Sequence, residues 1–124
     1  MRHAKKSFAR IDRVAQQMHR ELATLIQDGV KDPRCFGVTV TGVEVARDYS
    51  RAKVYYTALA EVGQREGIQQ ALERAKGFLR SALAARLSIF KTPELVFVYD
   101  ESVERGMRIE ALIDKVSKEP PVED

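Results

Sequence analysis

Two short runs of alternating apolar residues, joined by a turn, constrain the fold of this 124-residue chain more than any other feature. In the first run, Val38 and Val40 alternate with threonines, but beyond Gly42 the apolar positions become Val43 and Val45. Because side chains along a strand point alternately to its two faces, this change of parity predicts a β-bulge or bend at Gly42.

The second run keeps its parity throughout. One face carries Ala52, Val54, Tyr56 and Ala58, and the other carries Lys53, Tyr55 and Thr57. The four residues Arg-Asp-Tyr-Ser between the runs supply turn-forming side chains. The two runs are therefore predicted to form an antiparallel hairpin.

Helical periodicity precedes the hairpin. Between Ser7 and Asp28, apolar residues recur at spacings of three and four, at Phe8, Ile11, Ala15, Met18, Leu22, Leu25 and Ile26. That spacing places them on one face of an amphipathic helix. Ser7 is a suitable N-terminal cap and Gly29 a suitable end for this helix.

A second helical segment follows the hairpin, from Ile68 to about Ile89, and Pro93 stops it. Gly77 lies in its middle, where glycine costs about 1 kcal/mol relative to alanine, so we expect a break there. An apolar strand and a last helix come next; Ser102 is predicted to cap that helix, which carries Ile109, Leu112, Ile113 and Val116. The order predicts an α+β fold, a three-stranded sheet with helices on one face.

Composition fits one globular domain, with 44% hydrophobic and 31% charged residues. We expect the domain to span residues 1–118 and the acidic, proline-containing residues 119–124 to be a disordered tail. No apolar run reaches the roughly 20 residues of a membrane span, and the basic N-terminus lacks the apolar core of a secretory signal. A single cysteine, Cys35, excludes an internal disulfide and fits a reducing cytoplasm.

Positive charge is concentrated in two parts of the chain, although the net charge is only +3. The first group is Arg2, Lys5, Lys6, Arg10, Arg13 and Arg20. The second is Arg65, Arg74, Lys76, Arg80, Arg86 and Lys91. Within the first group, Lys6, Arg10, Arg13 and Arg20 share the helix face opposite the apolar one, without acidic partners one turn away. This pattern favours contact with phosphates, although a solvated face is the alternative.

Several segments carry a resemblance to a known family. Two short helices meeting at a glycine behind a hairpin resemble KH modules, in which a GxxG loop clamps a nucleic-acid backbone. Together with "RVAQQMHREL", "KDPR", "VTGVEVARDYSRAKVYY" and "PELVFVYDESVERGMRIEALI", the joint "AKG" makes the chain closely similar to the ribosome-binding factor A family, from about Lys6 to Lys115.

The resemblance implies a type II KH-like fold, with an Ala-x-Gly kink at Ala75 and Gly77 in place of the GxxG loop. It implies a cytoplasmic protein that binds free, immature small ribosomal subunits. Such a protein assists late maturation and processing of their ribosomal RNA, above all in the cold. It also implies that the protein needs no cofactor, metal or catalysis.

The predicted RNA-binding residues combine the helix stripe with the charges near Gly77. They are Lys6, Arg10, Arg13, Arg20, Arg74, Lys76, Arg80 and Arg86, with Arg47 and Lys53 of the hairpin as an extension. We expect Arg74, Lys76 and Arg80 to project from the outer side of the kink. A glycine that only eases helix packing is the alternative explanation of Gly77.

Two other classes of function fit the sequence less well. An enzyme is disfavoured, because neither histidine has a partner at ligand or triad spacing and no nucleotide-binding or metalloprotease motif is present. A protein-only adaptor that docks on ribosomal proteins or on an assembly GTPase remains the alternative. The chain is expected to act as a monomer, with no membrane partner.

Overall fold

The elements of the fold are given by a computed structural model, which describes residues 2–87, 89 and 91–118. Side chains are described from Arg10 onward, except at positions 62, 88, 90, 103, 104, 117 and 118. The helices are α1 (Arg2–Thr24), α2 (Arg65–Arg86) and α3 (Ser102–Lys118). The strands are β1 (Val38–Val45), β2 (Arg51–Ala58) and β3 (Glu94–Tyr99). Residues 119–124, the predicted acidic tail, lie outside the described part of the chain.

The three strands form one mixed sheet in the order β1-β2-β3. β1 and β2 pair as an antiparallel hairpin, and their register shifts between Val40 and Gly42. The bulge predicted from the change of apolar parity is thereby confirmed. β3 pairs with β2 in parallel, so the chain crosses back along the sheet through α2, as the order of elements predicted.

The core lies between one face of the sheet and the helices α1 and α2. From the sheet it takes alternate residues, among them Val38, Val40, Val45, Ala52, Val54, Tyr56, Leu95 and Phe97. From the helices it takes Ile11, Val14, Met18, Leu22, Leu25, Ile26, Ile68, Ala71, Leu72, Leu79 and Leu83. Cys35 is also buried, and burial raises the pKa of its thiol, as suits a packing residue.

The first helix differs from the prediction at both ends. α1 begins at Arg2, so Ser7 lies inside the helix and is not its cap. Its last turn, Leu25–Gly29, widens into a π-helix, closed by a hydrogen bond from the Val30 N–H to the Leu25 carbonyl at 3.0 Å. Gly29 lies close to α2, since a Cβ at this position would lie 3.0 Å from the half-exposed ring of Phe78 and the ring would have to shift to admit it.

None of the described side chains of α3 belongs to the core. Its apolar residues are exposed: Met107, Ile109, Leu112, Ile113 and Val116 show 56–69% of their surface. The helix is attached at its first residue, where Asp100 accepts hydrogen bonds from the N–H and the hydroxyl of Ser102. Asp100, and not Ser102, therefore accepts the hydrogen bond from the first backbone N–H of α3.

The same carboxylate links α3 to the bulge. The other oxygen of Asp100 accepts from the hydroxyl of Thr41, the extra residue of β1, at 2.6 Å. These hydrogen bonds, with Ser102 contributing most, hold the pKa of Asp100 below its ordinary value. The bulge thus turns a β1 hydroxyl toward the end of the sheet from which α3 departs.

Candidate nucleic-acid interface

The outer face of α1 carries the predicted basic stripe. Arg10, Arg13, Gln17 and Arg20 are all exposed, and they lie opposite the buried row that begins at Ile11. Among the described residues, none of these three arginines forms an ion pair. Their charge is therefore available to an external anion. Lys6 lies in α1 as well, but its side chain is outside the described set.

The basic residues of α2 do not share one side, which corrects the prediction that they project together. One residue of an α-helix turns the side-chain direction by about 100°, so Arg74 and Lys76 point nearly opposite ways. Lys76 is half-buried and pairs with Glu73 at 2.6 Å, and Arg80 donates to the Thr92 carbonyl at 3.1 Å. Both lie on the flank of α2 nearest the start of β3.

Arg74 lies on the other flank, beside α1. It is four residues before Phe78, so the two side chains share a face of α2, and Phe78 packs against Gly29 at the end of α1. Arg74 also lies close enough to Asp32 to lower the pKa of that carboxyl, after the larger effect of Arg34. Lys31, Arg74 and Phe78 border a shallow pocket of about 220 Å³ at this junction.

An ion pair joins the two helices further along. Arg86, at the end of α2, donates to Glu21 of α1 at 2.8 Å. Glu21 follows Arg20 directly and lies within about 20° of the direction of Arg10, eleven residues earlier. The stripe therefore borders the junction with α2. We call Arg10, Arg13, Gln17 and Arg20, together with the junction that they border, the α1–α2 face. Arg86 has a different role, because its ion pair with Glu21 joins α2 to α1.

A second fixed guanidinium lies in the loop after α1. Arg34 donates to both oxygens of Asp32, at 3.1 and 2.8 Å, and its N–H donates to the same carboxylate. This pair was not among the predicted site residues, although Asp32 and Arg34 flank Pro33 in the sequence and offered a signal for it. The pair stiffens the loop that borders the α1–α2 junction.

The hairpin residues lie elsewhere. Lys53 and Tyr55 point to the sheet face away from α1 and α2, where the Tyr55 hydroxyl donates to Glu44 at 3.2 Å. Arg47 is exposed in the turn after β1. Lys53 thus does not extend the α1–α2 face as the sequence predicted, because β2 alternation directs it to the opposite side.

The aromatic residues separate as their parity indicated. Tyr56 is buried and packs edge-to-face on Tyr99, with ring centroids 5.6 Å apart, while its hydroxyl donates to Gln69. Gln69 in turn donates to the Phe97 carbonyl of β3 at 3.0 Å. Tyr56 therefore contributes to the core, with the other residues of its strand face, and is not exposed for stacking on a base.

Gly77 does not separate two helices. α2 runs unbroken as α-helix from Arg65 to Arg86, so the break expected at Ala75 and Gly77 does not interrupt the helix, and a bend of its axis there stays a prediction. Gly77 has no positive φ, and a Cβ added there would meet nothing within 4 Å. Neither backbone strain nor close packing requires a glycine at this exposed position.

We therefore expect Gly77→Ala to stabilise the protein. Alanine lowers the free energy of a helix interior by about 0.5–1 kcal/mol relative to glycine, and here the methyl group enters open space. Thermal unfolding followed by circular dichroism should show a higher midpoint than in the wild type. Gly29→Ala is the contrasting variant, because its methyl group meets the ring of Phe78, which must shift, so its midpoint should rise less than that of Gly77→Ala. A lower midpoint for Gly77→Ala would contradict this expectation and would show that α2 needs a glycine at position 77.

In the described part of the chain, no three histidine, cysteine, aspartate or glutamate side chains lie together as a metal ion would need. Among these residues no helix has the length and apolar character to cross a membrane.

Comparison with known proteins assigns the family. The family model for ribosome-binding factor A matches residues 10–113, most of the chain. The chain belongs to the ribosome-binding factor A family. A ribosome-binding factor A of Neisseria meningitidis is 55% identical over the whole of both chains. That of Nitrosomonas europaea is 52% identical over 89% of this chain and 94% of its own.

Solved structures of ribosome-binding factor A share the fold. The crystal structure from Thermus thermophilus superposes with a TM-score of 0.65 at 37% identity, covering 72% of this chain and 94% of its own. A homology model of the Thermus protein, fitted into a cryo-EM map of its complex with the 30S subunit, gives 0.60 at 38% identity, with coverages of 70% and 91%. The predicted α+β, KH-like fold is confirmed.

Proposed function

We propose that this protein binds the free, immature small ribosomal subunit through phosphates of its ribosomal RNA, with the α1–α2 face as the contact surface. The observation that carries the proposal is the set of exposed arginines on α1 that have no ion-pair partner among the described residues. The Thermus relative, whose model was fitted into a 30S complex, supports the choice of the small subunit.

The unbroken α2 argues for recognition of folded RNA. A KH loop clamps about four nucleotides with backbone groups exposed between two helices. Here the corresponding backbone groups are engaged in one continuous helix, so no such clamp is available. Cations spaced along a helix instead match the phosphate rows of an RNA duplex, where shape and backbone dominate recognition.

The role that follows is non-enzymatic. By holding RNA helices in one arrangement, the protein assists late maturation and processing of small-subunit RNA without breaking covalent bonds. It acts as a cytoplasmic monomer, and its contribution is greatest in the cold, where misfolded RNA rearranges slowly. Phosphate contact also predicts that rising salt releases the protein from the subunit.

Sedimentation with purified ribosomal particles tests this proposal. The protein should co-sediment with free small subunits and not with joined ribosomes, and binding should fall steeply between about 50 and 200 mM salt. Equal binding to both particles would contradict the preference for the immature subunit. If binding changes neither with salt nor after limited RNase treatment, the protein docks on ribosomal proteins or on an assembly GTPase and not on RNA.

A further inference from the structure

The outer edge of β1 is closed along only half of its length. β1 is an edge strand, and in its first half the carbonyls of Val38 and Val40 point away from β2. Two side chains of α1 cover them: Gln27 hydrogen-bonds the Val38 carbonyl at 2.6 Å, and His19 the Val40 carbonyl at 2.9 Å. Covering an exposed edge is a common means of preventing unwanted strand pairing.

The second half of the edge has no such cover. The Ala46 N–H donates to the Arg51 carbonyl at 2.9 Å, so alternation along β1 directs the backbone groups of Val43 and Val45 outward. Among the described residues, neither of these valines has a hydrogen-bond partner on that side. Two N–H groups and two carbonyls therefore stand at the two-residue repeat of a strand, about 6.8 Å.

A groove runs beside this open edge. Its volume is about 330 Å³, and it is bounded by residues 43–47 and by Ile11, Asp12 and Ala15 of α1. Ile11 and Ala15 belong to the apolar side of α1, so the groove has an apolar wall next to unpaired backbone groups.

We propose that this groove binds an extended peptide segment of a partner protein, which adds as a fourth strand to β1 at Val43 and Val45. An apolar side chain of that segment packs on Ile11 and Ala15. Strand addition supplies affinity through main-chain hydrogen bonds and specificity through alternate side chains.

The chemistry of the edge favours a peptide over the other occupants. An RNA backbone presents mainly phosphate oxygens, which accept hydrogen bonds, and its donors are isolated 2′-hydroxyls, so it matches the paired N–H and carbonyl groups of Val43 and Val45 less well than a strand does. A second copy pairing through β1 would bring its own α1 beside this one, and with it the unpaired charges of Arg10 and Arg13. A peptide strand offers N–H donors and carbonyl acceptors together at the two-residue spacing of this edge.

The test uses overlapping 12-residue synthetic peptides that cover the small-subunit proteins of Neisseria meningitidis, and it measures binding to the full chain by fluorescence anisotropy. Only the choice of these peptides rests on the proposed function. We expect at least one peptide to bind with a dissociation constant well below about 1 mM. Methylating the peptide N–H groups that face β1 should weaken binding of the peptide about tenfold or more. Methylating the alternate N–H groups should leave its affinity unchanged.

Two protein variants complete the test. Val43→Pro removes one outward N–H, which β1–β2 pairing does not use, and edge strands tolerate proline at such positions. Ala15→Lys places a long side chain in the groove, while its charge stays outside the core. Each should weaken the peptide about tenfold and leave co-sedimentation of the protein with small subunits in place, which separates this proposal from the one above.

Three results would overturn the proposal. In the first, no peptide binds below about 1 mM. In the second, both methylation patterns have equal effects, which would show that the peptide does not add as a strand. In the third, sedimentation shows that the protein self-associates and that Val43→Pro abolishes the association, which would assign the edge to a second copy.

Discussion

Reversing two charges on α1 is expected to release the protein from the small subunit. In Arg13→Glu/Arg20→Glu, two exposed cations seven residues apart on one helix face become anions. Because neither arginine has an ion-pair partner among the described residues, the loss falls on contacts with RNA and not on the fold. Affinity at about 0.1 M salt should fall at least tenfold.

A matched variant distinguishes the two basic groups. Lys76→Glu/Arg80→Glu changes the net charge by the same amount, but these side chains are already engaged, with Glu73 and with the Thr92 carbonyl. We expect it to lose less than about threefold in affinity. The slope of log affinity against log salt should also become shallower by about 0.7–0.9 per lost contact in the α1 variant alone.

Equal losses in the two variants would contradict the α1–α2 face. They would show that binding follows net charge, or that the flank of α2 nearest β3 contacts RNA as well. Circular dichroism melts of both variants are needed beside the binding data, since Lys76 takes part in a helix ion pair.

Leu72→Ala should have the largest effect on stability. Leu72 is completely buried between α2 and the sheet, and truncating such a leucine costs about 2–5 kcal/mol through lost burial and the cavity left behind. For a chain of this length, the unfolding midpoint should fall by roughly 8–20 °C. Urea denaturation gives the free energy directly.

Leu112→Ala is the matched control, because it makes the same truncation in another helix. Leu112 on α3 is 61% exposed, so its truncation should change the free energy of unfolding by less than about 0.5 kcal/mol. A cost for Leu112→Ala near that of Leu72→Ala would mean that α3 packs on the core, contrary to the structure.

Local sequence patterns predicted the sheet correctly, but they did not predict how the last helix packs. The parity change at Gly42 identified the bulge, and strand alternation placed Tyr56 inside, because a period of two leaves little freedom in a half-buried strand. Periodicity also identified the helices. It could not show that α3 stays off the core, because an apolar face indicates burial against something without naming the partner.

In the candidate site, too, local spacing was predictable and tertiary contacts were not. The α1 stripe was predictable, since charges three and four residues apart share a helix face. The division of Arg74 from Lys76 followed from helix geometry only once α2 was known to be unbroken, and the expected kink at Gly77 obscured it. The partners of Lys76, Arg80 and Arg86 depend on tertiary contacts that no local spacing encodes.

The most direct test of the RNA-binding surface is photo-cross-linking from single positions. A benzophenone side chain at Gln17 lies within the α1–α2 face, and one at Thr39 lies exposed on β1. With free small subunits, we predict cross-links to ribosomal RNA from position 17 and none from position 39. Cross-links to RNA from position 39 with none from position 17 would contradict the assignment of α1 as the surface that meets the ribosome.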